Sequence, residues 1–412
     1  MNILFVHEVD WLKKVVFDIH FLAEGLSLLG HRVYAVDYED TWQRNGFSGL
    51  ESLRTREIDG VSRAFSGASV CLRRPGFIKV PVLSRISAAF THYLAIRETI
   101  NEKKIDAIIL YSVPTNGLQT IRLARKFNLP LVFRSIDILN MLVPNPVLRP
   151  LTRLLEKRVY SGVDAVLPNT PQYLNYVLST GIDKSKVRYL PFPIDTDLFH
   201  PSVDSSEVRQ KWGYKESDPV IVFIGTLFHF SGLDDFIRHF PQVLKEVPEA
   251  KLLIVGDGPQ RPGLEQIITE LGLESKVTIT GFQPYQTMPQ YINLAAICIN
   301  TFTINEDTMD VFPAKMMQYA ACGKPTVATA LRGITTLLPE ESGGVIYAET
   351  ADEIIKKVIS LLKSAEHRQR LGEAGLNRVR GKYSHKKISQ ELETILEGLI
   401  KEKRSDPRAK PA

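Results

Sequence analysis

The sequence predicts two doubly wound α/β domains, each built on a parallel β-sheet. Short apolar runs alternate with amphipathic helical runs along nearly the whole chain, which is typical of parallel sheets made of β-α-β units. Residues 191–201 interrupt this alternation near the middle of the chain. Their three prolines indicate a linker rather than a helix or a central strand. The length of 412 residues is sufficient for two or three domains.

The predicted elements follow the same rhythm in both halves. In the first half we expect strands at 3–6, 33–36, 107–111, 131–134, 165–167 and 187–190, and helices at 17–29, 86–101, 118–127 and 149–160. In the second half we expect strands at 220–224, 251–255, 277–280, 297–300, 326–329 and 344–347. The second-half helices are expected at 233–244, 263–271, 288–293, 314–321, 351–362 and 366–382.

The linker divides the chain into a first domain, 1–195, and a second domain, 196–385. A final helix is predicted over 386–402, and the proline-containing residues 403–412 are predicted to form a loose tail. Open α/β sheets bind ligands beyond the carboxyl ends of their strands. If the two domains face each other, the ligand site lies in a central cleft.

Composition limits the class of protein. Hydrophobic residues make up 44% and charged residues 24%, which excludes a disordered chain or a disulfide-stapled miniprotein. The three cysteines include no CxxC pair, so we expect neither a zinc site nor a disulfide framework. We read no signal peptide and no apolar run long enough to cross a membrane. A cytoplasmic protein, possibly at the inner face of the membrane, is expected.

The basic residues are concentrated in one region. Residues 51–160 hold 18 basic and 8 acidic residues, which suggests an anionic partner for the first half. Within this region, Arg73, Arg74 and Lys79 alternate with apolar residues. Such a stretch suits contact with anionic lipid headgroups, at about 1 kcal/mol for each cation, or it is a solvated loop. Nucleic acid is not favoured, because no stacking platform or recognition motif is present.

The segment 310–325 carries the most chemistry. Pro313 suits the start of a helix, and the exposed amides of such a start attract phosphate. Lys315 adds a positive charge there, and Gln318 lies one turn further along the same face. The alternative is an ordinary buried amphipathic helix with Asp310 placed near its positive end.

Other polar residues and glycines follow predicted strands. Gly256 can cradle a phosphate or form a tight turn, and Thr226 and Ser231, after Gly225, can donate to phosphate or cap a helix. In the first half, strand-end positions that would ring the ligand site are occupied by His7, Arg134 and Asp137. Turns favour such residues in any case, so structural roles remain open for them.

Taken together, these segments resemble the retaining glycosyltransferases of family four, which have the GT-B fold. The resemblance covers nearly the whole chain. Residues 163–170 are similar to the family's strand that runs from an aspartate to a Ser/Thr, and 189–199 to its interdomain signature. Residues 320–325 match the end of its signature helix. Residues 225–233, 254–258 and 278–282 follow in the family's order and spacing.

The resemblance implies transfer of a sugar from a nucleotide-sugar to an acceptor, with the anomeric configuration retained. The second domain would hold the nucleotide-sugar and the first the acceptor, with the final helix packed back on the first domain. Preorganised amides and cations, rather than a metal, would stabilise the leaving diphosphate. No cofactor is implied beyond the nucleotide-sugar co-substrate. A saccharide or lipid-linked acceptor, as in cell-surface polysaccharide or glycolipid synthesis, suits the basic first half.

The resemblance also assigns the residues of the site. The family's two glutamates become Asp310, which would bind sugar hydroxyls, and Gln318, which would bind the ribose. Its phosphate-clamping Arg and Lys become Thr226 and Ser231, so we hypothesise that Lys315 replaces part of that charge. The catalytic candidates are Asp310 and Asp137; the donor-binding candidates are Gly225, Thr226, Ser231, Gly256, Phe282, Val311, Phe312, Lys315 and Gln318; the acceptor-side or membrane candidates are His7, Arg73, Arg74, Lys79 and Arg134.

The two missing cations leave a second function open. A GT-B subunit without catalysis could bind a sugar nucleotide or a partner enzyme. A GT-B sugar-nucleotide epimerase is a third possibility, but the interdomain and helix signatures fit it less well.

Overall fold

The computed structural model describes residues 1–14, 16–39, 53–80, 83–139, 143, 147, 149–306 and 308–405. The chain divides into two compact units. The first unit comprises Met1–Pro193 with His385–Ala412, and the second comprises Ile194–Ser384. This division lies two residues before the boundary that the sequence suggests.

The first unit contains a seven-stranded sheet among its described residues. Its strands are β1 (Asn2–Val6), β2 (Arg32–Val36), β3 (Arg56–Val61), β4 (Val70–Arg74), β5 (Ala107–Leu110), β6 (Leu131–Ser135) and β7 (Ala165–Pro168). They lie in the order β3-β4-β2-β1-β5-β6-β7, and all neighbours are parallel except β3 and β4. The helices before the linker are α1 (Asp18–Leu28), α2 (Leu83–Glu102), α3 (Gly117–Lys126), α4 (Arg149–Gly162) and α5 (Pro171–Ser179).

Four elements of the first unit differ from the sequence prediction. The strands β3 and β4 were not predicted, because β3 is an exposed, charge-rich edge strand without an apolar run. The predicted strand 187–190 is wrong, since Val187 makes only an isolated bridge to Val166. Helix α5 was also missed, although the hydroxyl of Thr170 caps it by accepting the N–H of Tyr173.

The second unit contains a six-stranded parallel sheet. Its strands are β8 (Val220–Ile224), β9 (Lys251–Val255), β10 (Val277–Ile279), β11 (Ile297–Asn300), β12 (Thr326–Thr329) and β13 (Val345–Ala348), in the order β10-β9-β8-β11-β12-β13. Its helices are α6 (Ser206–Lys211), α7 (Leu233–Glu246), α8 (Arg261–Glu270), α9 (Met288–Leu294), α10 (Ala314–Ala321), α11 (Arg332–Thr335), α12 (Ala351–Lys363) and α13 (Ala365–Lys382). All six predicted strands are confirmed, whereas the short helices α6 and α11 were not predicted.

The last helix, α14 (His385–Ser405), belongs to the first unit. Its apolar residues Ile388, Leu392 and Leu396 are buried in the core on one side of the first sheet. The predicted tail is corrected at its start, because residues 403–405 are still helical. Residues 406–412 of that tail lie outside the described residues.

Both faces of the first sheet are covered. In β1, Ile3 and Phe5 pack in the core that includes α14, whereas Leu4 and Val6 pack in the core on the opposite face. Strands buried on both faces read as continuous apolar runs, which explains why β1 was recognised from the sequence. Within the part of the chain described, no helix has both the length and the apolar character needed to cross a bilayer.

The contact between α1 and α14 predicts a stability effect. A Cβ added at Gly25 would lie 2.1 Å from the hydroxyl oxygen of Ser389, whereas nothing lies within 4 Å of a Cβ added at Gly398. We therefore expect Gly25→Ala to lower the free energy of unfolding by about 1–3 kcal/mol through overpacking. The matched variant Gly398→Ala should raise it by about 0.5–1 kcal/mol. Thermal unfolding measures both, and equal effects would contradict the packing of α14 on α1.

Candidate functional site

Two glycine turns meet at the carboxyl edge of the second sheet. Gly225 follows β8 and Gly256 follows β9, with φ angles of +145° and +149° that favour glycine. A Cβ on Gly256 would lie 1.9 Å from the carbonyl oxygen of Gly225, so the two turns are in close contact. The Gly225 N–H donates to the carbonyl oxygen of Val255 at 2.9 Å. The two glycines therefore leave room for the turns to pack against each other and for a neighbouring side chain to approach Gly225.

Lys315 lies against this edge in the first turn of α10. Its Nζ is 3.9 Å from the ring centroid of Phe223 and 4.6 Å from that of Phe302. A Cβ on Gly225 would lie 2.7 Å from Nζ. Among the described residues no carboxylate or hydrogen-bond acceptor engages the Lys315 ammonium, and ring faces alone attract it. The side chain is partly exposed, but the enclosure of its ammonium lowers the Lys315 pKa to about 7.

The start of α10 supplies further donors. The helix begins at Ala314, and Pro313 precedes it rather than forming its first residue. The first amides of a helix have no intrahelical acceptors, so those of Ala314 and Lys315 are available to a ligand. A phosphate placed there would meet amide dipoles and a cation together.

Aromatic residues extend this site. Phe302 packs edge-on to Phe230 with centroids 5.3 Å apart, and Phe230 stacks on Phe228 at 5.1 Å. Phe282 is 79% exposed and follows Gly281, which forms a backbone bridge with Gly256. An exposed ring beside the glycine turns can stack on a base or a sugar. Sequence reasoning missed Phe223 and Phe302, since only the folded chain brings them to Lys315.

Thr226 and Ser231 align with the family's phosphate-binding Arg and Lys, but only Thr226 is placed where a phosphate could reach it. Thr226 is exposed, as a ligand-binding hydroxyl requires. Ser231 is fully buried, and its carbonyl oxygen accepts a hydrogen bond from the hydroxyl of Thr301 at 2.7 Å. The expected phosphate contact of Ser231 is therefore corrected, because the turn before α7 directs it into the core.

The two residues aligned with the family's glutamates keep polar partners. The Asp310 carboxylate pairs with Arg332 of α11 at 3.1 Å, a cation that the sequence did not single out. Gln318 hydrogen-bonds the hydroxyl of Tyr285, and burial raises the pKa of that hydroxyl. Both side chains are partly exposed. Val311 and Phe312, between Asp310 and α10, are also partly exposed.

The basic stretch of the first unit is internal. Arg74 is buried and pairs with Asp37 and, at 2.7 Å, with Asp10. The other two expected membrane cations are also buried: Arg73 pairs with Glu102 at 2.8 Å and with Glu57 at 3.5 Å, and Lys79 pairs with Glu39 at 3.2 Å. The expected lipid contact of these three cations is therefore corrected. Their charges are neutralised within the unit.

Arg134 is also structural. Its guanidinium is fully buried and forms two hydrogen bonds with Asp18, at 2.9 and 2.5 Å. It also donates to the carbonyl oxygens of Leu190 and Pro191, which lie at the start of the linker. These hydrogen bonds occupy both edges of the Arg134 guanidinium, so the expected contact of Arg134 with an acceptor is wrong. Arg134 instead connects α1 to the start of the linker.

His7 and Asp137 lie at a cavity of about 210 Å³ in the first unit. Burial lowers the His7 pKa to about 3, and its Nδ1 accepts the N–H of Val9 at 3.0 Å, so the ring is neutral. Asp137 is exposed at the cavity wall, yet partial loss of hydration and then repulsion from Asp18 raise its pKa to about 6. The two residues are thus brought together, as predicted for strand ends.

Known families match each unit. Residues 18–193 match the glycosyl transferase 4-like domain, and residues 204–378 match glycosyl transferases group 1. A GDP-mannose-dependent monoacylated alpha-(1-6)-phosphatidylinositol monomannoside mannosyltransferase of Corynebacterium glutamicum is 28% identical over 213 residues, which are 51% of this chain and 55% of that protein. The alpha-D-kanosaminyltransferase of Streptomyces kanamyceticus is 26% identical over 46% of this chain and 48% of that protein. The chain spans about half the length of these curated relatives.

Solved structures agree on the fold. The crystal structure of Anabaena HepE in complex with UDP has a TM-score of 0.72 and 17% identity, covering 97% of this chain and 100% of that chain. The glycosyltransferase WaaG, which is involved in lipopolysaccharide biosynthesis, has a TM-score of 0.64 and 14% identity over 97% of this chain and 100% of that chain. With one family match in each unit, the chain belongs to the glycosyltransferases of the GT-B fold.

Proposed function

We propose that the protein is a retaining glycosyltransferase that moves a hexose from a nucleotide-sugar to a glycan or lipid-linked acceptor. The observation that carries this proposal is the Lys315 ammonium at the start of α10, which lies between two rings without an anionic partner among the described residues. An enclosed cation without a counter-ion lowers the stability of the folded protein, and a bound anion removes this penalty. A diphosphate is the anion that the adjacent amides and glycine turns suit.

The donor would lie along the carboxyl edge of the second sheet. Lys315 and the amides of α10 would hold the diphosphate, with Gly225 allowing the close approach of the Lys315 ammonium to the turn after β8. Phe282 would stack on the base, and Gln318 would bond the ribose hydroxyls. Asp310, oriented by Arg332, would accept hydrogen bonds from the sugar.

These residues support departure of the leaving group without a metal. As the glycosidic bond breaks, negative charge develops on the diphosphate and positive charge on the sugar ring, as in glycoside hydrolysis. Lys315 and the helix amides stabilise the developing negative charge from fixed positions. The leaving phosphate oxygen can accept the proton of the attacking acceptor hydroxyl, so no dedicated protein base is required.

The relatives suggest the pathway class. Mannosyl transfer to a phosphatidylinositol glycolipid is named for the corynebacterial relative, and lipopolysaccharide synthesis for WaaG. By analogy we place this chain in glycolipid or cell-surface polysaccharide synthesis, at the cytoplasmic face of a membrane.

A membrane contact is testable on α4. Its exposed face carries Leu151 and Leu154 beside Arg153 and Lys157, and its one carboxylate, Glu156, is buried. This combination suits an interface with anionic lipid, at about 1 kcal/mol for each cation. We expect the protein to sediment with vesicles containing phosphatidylglycerol and less with neutral vesicles. The double variant Arg153→Gln, Lys157→Gln should lose this preference, and equal sedimentation of wild type with both vesicles would contradict it.

The proposed function is tested by a thermal-shift panel of nucleotide-sugars, followed by turnover with the donor that binds. Saturating ligand at about a hundred times its Kd should stabilise the protein by about 2.7 kcal/mol. Lys315→Met should reduce this stabilisation to about 0.4 kcal/mol at the same ligand concentration, whereas Lys245→Met, at an exposed lysine of α7, should retain it. Absence of any shift in well-folded wild type would reject the proposal.

The burial of Ser231 supports the second candidate, a non-catalytic subunit. Because Ser231 contributes no phosphate contact, Lys315 is the one lysine in the described part of the carboxyl edge of the second sheet. A single lysine suffices for binding a nucleotide-sugar more readily than for catalysis. Tight binding of a nucleotide-sugar that is never cleaved would favour this candidate.

A further inference from the structure

The cavity of the first unit, defined by the ends of β1, β5 and β6, has a chemical character of its own. We propose that it binds an uncharged polyol ring and discriminates against the same ring when phosphorylated. This inference rests on the proposed glycosyl transfer, for which the ring would be the acceptor. It narrows the proposed glycan or lipid-linked acceptor to a ring that carries no charge where it enters the cavity.

The cavity is large enough for a ligand. Its volume of about 210 Å³ far exceeds the space of about 10–15 Å³ that one buried water needs. Polar groups come from His7, Ser112, Asp137 and Glu156, and apolar wall from Val113 and Phe133. A sugar ring presents hydroxyls at its edge and C–H groups on its faces, which matches a wall of both kinds.

The charge at this wall is negative. Arg134 lines the cavity, but both edges of its guanidinium are bound to Asp18 and to the linker carbonyls. No other lysine or arginine lines the described part of the wall. Glu156 is buried and accepts the hydroxyls of Tyr160 and Tyr176, at 2.8 and 2.5 Å. Glu156 therefore acts as a hydrogen-bond acceptor, and among the described residues no cation forms an ion pair with it.

Two polar groups remain open to a ligand. No hydrogen bond or ion pair engages the Asp137 carboxylate among the described residues. The Ser112 hydroxyl is buried and has no partner there either. A carboxylate accepts from ligand hydroxyls, and a serine hydroxyl both donates and accepts. The neutral His7 imidazole lies 5.6 Å, centroid to centroid, from the Tyr111 ring and adds no positive charge.

A phosphate ester in this cavity would carry about −1.5 to −2 charges. It would face three carboxylates, those of Glu8, Asp137 and Glu156, of which Glu8 pairs with the exposed Arg85 at 3.3 Å. The other two have no cation beside them among the described residues, and like charges at short range are unfavourable. The excess of basic residues in the first half does not make the cavity favourable for a phosphate. Four of those cations pair with carboxylates of the same unit instead: Arg73, Arg74, Lys79 and Arg134. The cavity therefore suits hydroxyl donors that carry no charge.

Two matched pairs of probes test this proposal on the full chain: myo-inositol with its monophosphate, and methyl mannoside with mannose phosphate. Ligand-detected NMR titration at millimolar concentration measures each Kd. We expect each neutral ring to bind about tenfold or more tightly than its phosphate ester. Asp137→Asn should raise the Kd of the neutral ring and reduce the ratio between the Kd values of the phosphate ester and the neutral ring. Glu391→Gln, which changes an exposed carboxylate on α14, should alter neither Kd. Ser112→Ala provides a second, independent variant.

Three results would overturn the inference: equal or tighter binding of the phosphate esters, no effect of both Asp137→Asn and Ser112→Ala, or no binding of either neutral ring. Nucleotide binding is measured in parallel, because its residues belong to the second unit. If no nucleotide binds, the proposed transferase function fails. Ring binding that depends on Asp137 would still support the cavity as a polyol site.

Discussion

Replacing Lys315 by methionine is expected to weaken nucleotide-sugar binding by about a hundredfold. Hydrogen bonds to charged groups contribute about 1.5–3 kcal/mol each, and 3 kcal/mol is roughly a hundredfold in Kd. Methionine is chosen because it retains apolar contact with Phe223 and Phe302 while it removes the charge. Isothermal titration calorimetry with the donor from the thermal-shift panel measures the change.

The same variant separates binding from folding. An enclosed cation without a counter-ion destabilises the unliganded protein, so Lys315→Met should unfold at the same temperature as wild type or a higher one. Lys245→Met should leave donor affinity unchanged, because Lys245 is an exposed residue of α7. Unaltered affinity in a folded Lys315→Met protein would exclude the phosphate role of this lysine.

Donor binding is expected to depend on pH through Lys315. Enclosure of the ammonium lowers the Lys315 pKa to about 7 in the unliganded protein. A bound diphosphate favours the charged form and raises this pKa, so binding takes up a proton above pH 7. Affinity should be greatest below the unliganded pKa of about 7 and should fall by up to tenfold per pH unit as pH rises through the window between the two pKa values.

Calorimetry at about pH 8 in buffers of different ionisation enthalpy measures the proton uptake directly, because at that pH Lys315 is largely neutral before the ligand binds. An intact nucleotide-sugar is the proper ligand, because the terminal phosphate of a nucleoside diphosphate itself titrates at about pH 6. Wild type should take up close to one proton, and Lys315→Met should take up none. Equal uptake by both proteins would assign the proton to another group.

The sequence predicted the second sheet well because its strands are short apolar runs separated by glycine turns. Val220–Ile224 is fully buried, and no polar residue interrupts it. The edge strand β3 escaped prediction because it is mostly exposed and charged, so its pattern resembles a loop. Local pattern therefore identifies uninterrupted apolar strands, and it misses both the exposed edge strand β3 and the buried strand β4, which ends in Arg73 and Arg74.

The candidate site was likewise only partly predictable from the sequence. Lys315 was recognisable from its place at a helix start after a strand. The rings that enclose it were not, because Phe223 lies in β8 and Phe302 follows the end of β11, far from Lys315 in sequence. Arg74 was read as a membrane cation because its partners Asp10 and Asp37 are distant in sequence. Ion pairs between remote residues decide whether a basic stretch is a surface or part of a core, and spacing alone does not show them.

Cleavage of the donor with water as acceptor tests the central claim most directly. Proton NMR can follow an α-linked nucleotide-sugar without knowledge of the natural acceptor, and it reports which anomer is released first. The account predicts slow release of the α-hexose and nucleoside diphosphate by wild type, little by Lys315→Met, and wild-type release by Lys245→Met. Initial release of the β-hexose would contradict retention, and binding without any cleavage would identify a non-catalytic subunit.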